Sequence, residues 1–171
     1  MQRVAKFSKV SWEQFYKDWC DNNPEDIPIN DMHIKRIYCG VNTPKRATQG
    51  SAGYDFYAPI TFTLEPGETI KIPTGIRCLM SEGWVLMGFP RSGLGFKYRA
   101  KLDNSVAIID GDYFFSDNEG HIFIKITNEG NKTMTVEQGN GFAQGIFVQY
   151  GITSDDDVTE VRNGGFGSTT K

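Results

Sequence analysis

Beyond residue 40 the chain divides into short apolar runs separated by glycine and proline. The runs 60–64, 69–72, 75–80, 84–89, 105–109, 121–127, 133–136 and 141–150 either alternate apolar and polar residues or concentrate β-branched and aromatic ones. Strands of this length with turn signals between them predict a mainly β fold, a sandwich or barrel. One segment follows a different period. Trp12, Phe15, Tyr16 and Trp19 stand at i, i+3, i+4 and i+7, one face of a helix. Ser11 with Gln14 reads as a capping box, Val10 as a staple onto Phe15, and Asp21-Asn22-Asn23-Pro24 as the stop. An aromatic stripe this wide is rarely left exposed, so packing on the chain's own β core or on another subunit is favoured over a free partner-binding face. Residues 21–42 read as a linker or irregular arm, and the segment from Thr153 onward as an acidic, then glycine-rich tail that cannot pack a core alone.

Length and composition narrow the class. A chain of 171 residues is one domain by the usual size prior. With 12 Phe, 7 Tyr and 3 Trp it has the material for a packed core, which argues against disorder. The net charge of −3 argues against a nucleic-acid coat or a membrane-surface helix. No apolar run reaches bilayer length, and the first residues lack a signal-peptide core. Cys20, Cys39 and Cys78 form no CxxC pair, so neither a disulfide framework nor a zinc site is expected, and a reducing cytoplasm fits.

The chemistry offered is selective. Two histidines without HExxH spacing make a protein-ligated zinc or a Ser-His triad improbable, and a Walker A motif is missing. Carboxylates, hydroxyls, glycines and a few cations remain, a set suited to a phosphate chain carrying a divalent metal. Pro90-Arg91-Ser92-Gly93-Leu94-Gly95 offers a guanidinium fork, a hydroxyl and glycines to an anion, or is an ordinary turn. Arg162 with Phe166, Gly167, Ser168 and Thr169 can grip a phosphate and stack on a base, or is a plain Gly/Ser tail. In the run 104–113 (NSVAIIDGDY), Asp110 and Asp112 flank Gly111, and a carboxylate at a strand end beside an Asn suits a base near a pocket; a hairpin turn is the alternative. Asp55, in AGYD, is ambiguous alone.

Order decides between these readings. AGYDF (52–56), PRSGLG (90–95), NSVAIIDGDY (104–113), GFAQG (141–145) and RNGGFGST (162–169) resemble the five ordered motifs of the trimeric deoxyuridine triphosphatases, the dUTPases. The resemblance runs over about residues 44–171 and implies a compact β-barrel or jelly-roll-like domain with an extra N-terminal helix. The parts are then an extension over 1–42, the β domain over 43–152 and a closing arm over 153–171. It further implies hydrolysis of dUTP to dUMP and pyrophosphate, which keeps uracil out of DNA, with Mg²⁺ and on a homotrimer with shared sites. By that likeness Asp110 orients and deprotonates the attacking water, and Tyr113 packs under the deoxyribose. Asn104 and the backbone at Ile108 and Ile109 read uracil; Arg91, Ser92 and Gly93 hold phosphates; Gln144 supports them. Asp55 holds the water shell of the metal, while Arg162, Phe166, Gly167, Ser168 and Thr169 close the site with Phe166 on the base.

Four departures qualify the likeness, the smallest being Ala107 where a Gly is frequent. Phe114 and Phe115 with an insertion through Gly120 replace the residues usual after the tyrosine, and could face a protein partner. Gly141 stands where an Arg is usual, so Lys97, Arg99 or Lys101 is expected to supply that charge. The last motif is one residue short between Arg162 and Phe166. A dCTP deaminase of the same fold and a regulatory binding module are the competing readings.

Overall fold

The computed structural model describes residues 2–25, 30–160, 162 and 164. Two long strands form its spine. β7 (Trp84–Pro90) and β12 (Gly141–Gln149) pair antiparallel from Ala143 opposite Pro90 to Gln149 opposite Trp84. They sit in a five-stranded sheet with β2 (Lys45–Arg46), β3 (Tyr54–Tyr57) and β9 (Ala107–Ile109), in the order β2-β3-β12-β7-β9. Facing elements are smaller: β5 (Thr69–Pro73), β10 (Phe123–Asn128) and β8 (Ala100–Leu102) form one sheet, and β4 (Phe62–Leu64) pairs with β11 (Met134–Val136). The alternation predicted from sequence is visible in β10, where Ile124, Ile126 and Asn128 are buried and Lys125 is exposed. Ile72, Leu86, Ile126, Met134 and Phe142 form the fully buried centre.

The N-terminal extension is part of this body. β1 (Ala5–Lys9) pairs with β6 (Ile76–Met80), five residues in register. Helix α1 (Trp12–Asn22) follows, capped by the Ser11 side chain, which accepts from the Gln14 N–H. Asn23 ends it in the left-handed region at φ 32. Phe15 and Trp19 are buried, while Trp12 and Tyr16 are half-buried, so the aromatic stripe packs on the chain itself. Gly75 lies beneath it at φ 75, and a side chain there would meet Phe15 and Val41 at 3.2 and 3.1 Å.

The linker expected over 21–42 contains instead a second helix, α2 (Asp31–Gly40). Asn30 caps it, accepting from the Met32 and His33 N–H groups, and Ile34 and Ile37 fill its buried side. Two apolar turns behind a single Asn gave too short a period to stand out. Among the described residues no helix is long and apolar enough to cross a membrane.

Candidate active site

Three of the sequence motifs meet at one end of the large sheet. On β12, Gln144 stands opposite Asp55 of β3 on one side and Phe89 of β7 on the other. β7 then runs through Pro90 into α3 (Ser92–Tyr98), for which Arg91 is the N-cap residue. The Arg91 Nε lies 3.3 Å from Asp55 Oδ1, and the Gln144 Nε2 donates to the Pro90 carbonyl at 3.2 Å. Asp55 is largely buried, its side chain 14% exposed, whereas Arg91 remains accessible. Ser92 and Gly93 open the helix on its exposed side.

The glycine of the fourth motif has a direct physical role here. A Cβ at Gly141 would fall 2.7 Å from Arg91 Nη1, and its three nearest atoms all belong to Arg91. The cation beside Gly141 is therefore Arg91, not Lys97, Arg99 or Lys101. Lys97 lies over the Tyr98 ring, Lys101 pairs with Glu129, and Arg99 is the left-handed C-cap of α3. With glycine at 141, Arg91 occupies the volume that a larger side chain would take.

Asp110 lies elsewhere. β9 pairs with β7 in the register Ile109 opposite Leu86 and Ala107 opposite Gly88, and Asp110 follows at the strand end. The chain then turns through a 3₁₀ segment, Gly111–Phe115. The backbone is not extended across Gly111, yet one guanidinium reaches both acids. Arg162 Nη2 is 2.6 Å from Asp110 Oδ2, and its Nε is 2.9 Å from Asp112 Oδ1. These groups border a cleft of about 750 Å³ with Trp84, Val85 and Ile108. Asp110 keeps an accessible carboxylate, 48% exposed, as a base working on water requires.

The residues expected to read the base fall on both sides of β9. Asn104 and Ala107 line a separate cavity of about 190 Å³ with Leu102, Phe123 and Ile124, whereas Ile108 faces the Asp110 cleft and Ile109 is half-buried. Alternation along the strand causes this division. Tyr113 is buried behind the turn, where burial raises its phenol above the ordinary range. Its hydroxyl donates to the His121 carbonyl at 2.7 Å and accepts from Asn118 Nδ2 at 2.8 Å. Phe166, Gly167, Ser168 and Thr169 lie outside the described residues.

Two clusters thus result, one around Asp55, Arg91 and Gln144 and one around Asp110 and Arg162. Asp110 follows the residue paired with Leu86, while Arg91 lies just past the far end of β7, so a path of about 20 Å at strand rise separates them. Asp112 belongs to the second cluster, and the flanking-acid pattern already singled it out. His121, Glu119 and Asp18, which support that cluster, had no sequence signal. Among the described residues no group of three His, Cys, Asp or Glu side chains is placed to hold a metal. The largely buried Asp55 carboxylate beside the Arg91 guanidinium is a donor set compatible with a divalent ion carried on phosphate oxygens rather than held by protein ligands alone.

A family model described as dUTPase matches residues 40–170. The deoxyuridine 5'-triphosphate nucleotidohydrolase of Lactococcus lactis subsp. lactis is 42% identical over 133 residues, which is 76% of this chain and 89% of that protein. The crystal structure of dUTPase from Streptococcus mutans superposes with a TM-score of 0.59 at 36% identity, covering 67% of this chain and 90% of that one. A mutant dUTPase from phage phi11 of S. aureus, described for coordination of a structural Mg(II) ion, has a similar fold at TM-score 0.62 and 19% identity, over 92% of this chain and 98% of that one.

Proposed function

The chain belongs to the dUTPase family and hydrolyses dUTP, and from that premise we propose that each active site is assembled between copies of the chain, in a homotrimer. The observation that carries this is the separation along β7. Asp110 and the Arg91–Asp55–Gln144 group stand too far apart in one copy to hold the two sides of one triphosphate. Closed symmetry brings the first cluster of one subunit to the second of its neighbour. Large apolar side chains stand exposed at both clusters, Phe96 on α3 and Ile108, Phe115 and Tyr150 around the Asp110 cleft, as surfaces that associate do.

In this reading the base enters the cavity lined by Asn104 and Ala107, and the deoxyribose rests against the Tyr113 segment. Arg91, Ser92 and Gly93 bind phosphate oxygens, and Gln144 fixes the edge of the platform through Pro90. Asp110 orients a water in line with the α-phosphorus and takes its proton, so that dUMP and pyrophosphate separate. Asp55 would hold the water shell of a magnesium ion carried on the phosphates, and such an ion would supply neutralisation of charge at the leaving pyrophosphate. Arg162 pairs with Asp110, and a phosphate that takes Arg162 frees the carboxylate. The following tail, with Phe166 over the base and Gly167, Ser168 and Thr169 on the terminal phosphate, then closes the site and excludes water.

The test is pyrophosphate release from dUTP, UTP, dTTP and dCTP, with ammonia release from dCTP as control. Fast turnover is expected for dUTP alone, and Tyr113→Leu raises UTP cleavage relative to dUTP by at least about tenfold. An unchanged ratio contradicts the sugar-gate role, and ammonia from dCTP indicates a deaminase. Ending the chain at Val161 is expected to leave a trimer by size-exclusion chromatography while kcat falls by about 100-fold or more. A monomeric product, or full activity, contradicts the closing-arm role.

A further inference from the structure

Helix α1 precedes the residues matched by the family model, yet it reaches the segment that follows Asp110 and Tyr113. Its first connection is at the cap. Gln14, the expected capping-box partner, donates to Asp18 Oδ2 instead. The Ser11 N–H and hydroxyl both donate to Glu119, at 2.8 and 2.6 Å. Burial alone would raise the Glu119 carboxyl, but these two hydrogen bonds and the Arg77 guanidinium outweigh it and hold it below the usual carboxylate range. Arg77 also donates to the Phe114 carbonyl and stacks 3.7 Å from that ring, so the 114–120 insertion is gripped at Phe114 and at Glu119.

The second connection is buried. His121 is fully enclosed, with Asp18 beside it. The Gly75 N–H donates to His121 Nε2 at 2.7 Å, so that nitrogen is an acceptor and the ring proton resides on Nδ1. Nδ1 then donates to Asp18 Oδ2 at 2.5 Å. Through its main chain the same histidine holds Tyr113, whose hydroxyl donates to the His121 carbonyl. Tyr113 in turn donates its N–H to the Asp110 carbonyl across the 3₁₀ turn. A chain of direct contacts therefore runs from α1 to the residue assigned as base.

A buried carboxylate–imidazole pair is a poor way to gain stability, because desolvation offsets most of its attraction. It does fix geometry, since each partner has one low-energy orientation. We propose that Asp18 and His121, with the Ser11–Glu119 cap, are positioning residues of the hydrolytic site: the N-terminal helix braces the turn that presents Tyr113 and Asp110 to the nucleotide. This rests on the proposed roles of those two residues.

The test uses full-length oligomeric protein and steady-state kinetics on dUTP and UTP, with thermal midpoints alongside. Asp18→Ala leaves the buried Nδ1–H without an acceptor and is expected to lower kcat for dUTP about 10- to 100-fold. The dUTP-over-UTP preference falls with it, and KM for dUTP stays within about threefold. Asp18→Asn keeps an acceptor oxygen and is expected to restore kcat to within about threefold of wild type. Ser11→Ala, at a half-exposed cap, lowers kcat about three- to tenfold. A lowered midpoint with kcat and preference unchanged in Asp18→Ala overturns the proposal. If Asp18→Ala does not fold, unchanged kcat and preference in Ser11→Ala overturn it equally. Wild-type turnover separates the two readings: slow wild-type hydrolysis of dUTP contradicts the proposed function, whereas fast wild-type hydrolysis with unaffected variants overturns the brace alone.

Discussion

Asp110→Asn is expected to lower kcat for dUTP by about 10³-fold while KM stays within about threefold, as measured by pyrophosphate release and single-turnover kinetics. The substitution is nearly isosteric. Asn Oδ1 still accepts from Arg162 Nη2, so the tail contact at 2.6 Å retains its hydrogen bond and loses only charge. What disappears is an anionic oxygen able to take a proton from water. Because Asp110 borders the 750 Å³ cleft rather than the Asn104 cavity, the proposed contacts to base and phosphates are expected to remain. A variant that turned over near the wild-type rate would place the base elsewhere, and Asp112, on the same guanidinium, would be the first residue to examine.

Arg91→Ala is expected to act through binding as well as rate, lowering kcat/KM by about 10²- to 10³-fold. Its guanidinium lies against Gly141 and beside Asp55, where in the proposed reading it offers a fork to phosphate oxygens and where it balances a carboxylate that has little other access to water. Removal takes away both at once. Arg91→Lys is expected to recover little of the loss, since a point charge cannot reproduce the planar fork. Full recovery by Lys would mean that charge alone matters at this position.

Much of this is legible in the amino-acid sequence. All eight predicted apolar runs contain strands, because β-branched and aromatic residues between glycine and proline leave the backbone few alternatives. The helix at Trp12 was equally plain, for its four aromatics keep strict helical spacing. Elements with weaker periods escaped. β3 and β8 are only four and three residues long. The glycine-rich stretch after Arg91, which reads as either an anion-holding loop or an ordinary turn, closes into α3 with the left-handed Arg99 at its end. Helix α2 depends on Asn30 and two isoleucines.

The site was legible by motif and not by arrangement. Arg91, Asp55 and Gln144 converge because β3, β12 and β7 are neighbours, a fact of sheet order rather than of local pattern. That Gly141 makes room for Arg91 follows from residues 50 positions apart meeting across the β7–β12 pair, so sequence alone suggested other cations. The Asp18–His121 pair, 103 positions apart, had no periodic or spacing signature at all. Long-range side-chain partners of this kind are invisible until strand pairing fixes which segments touch.

The central claim is that one copy supplies Asp110 and another supplies Arg91 to each site. It is tested by co-expressing Asp110→Asn and Arg91→Ala chains carrying different affinity tags and isolating the mixed oligomers by two successive captures. Each variant alone is expected to be nearly inactive. In a mixed trimer one interface in three joins an intact Asp110 to an intact Arg91, so activity is expected to return to about one-third of wild type. Mixed oligomers no more active than their two parents would place both residues of a working site on a single chain and contradict the account.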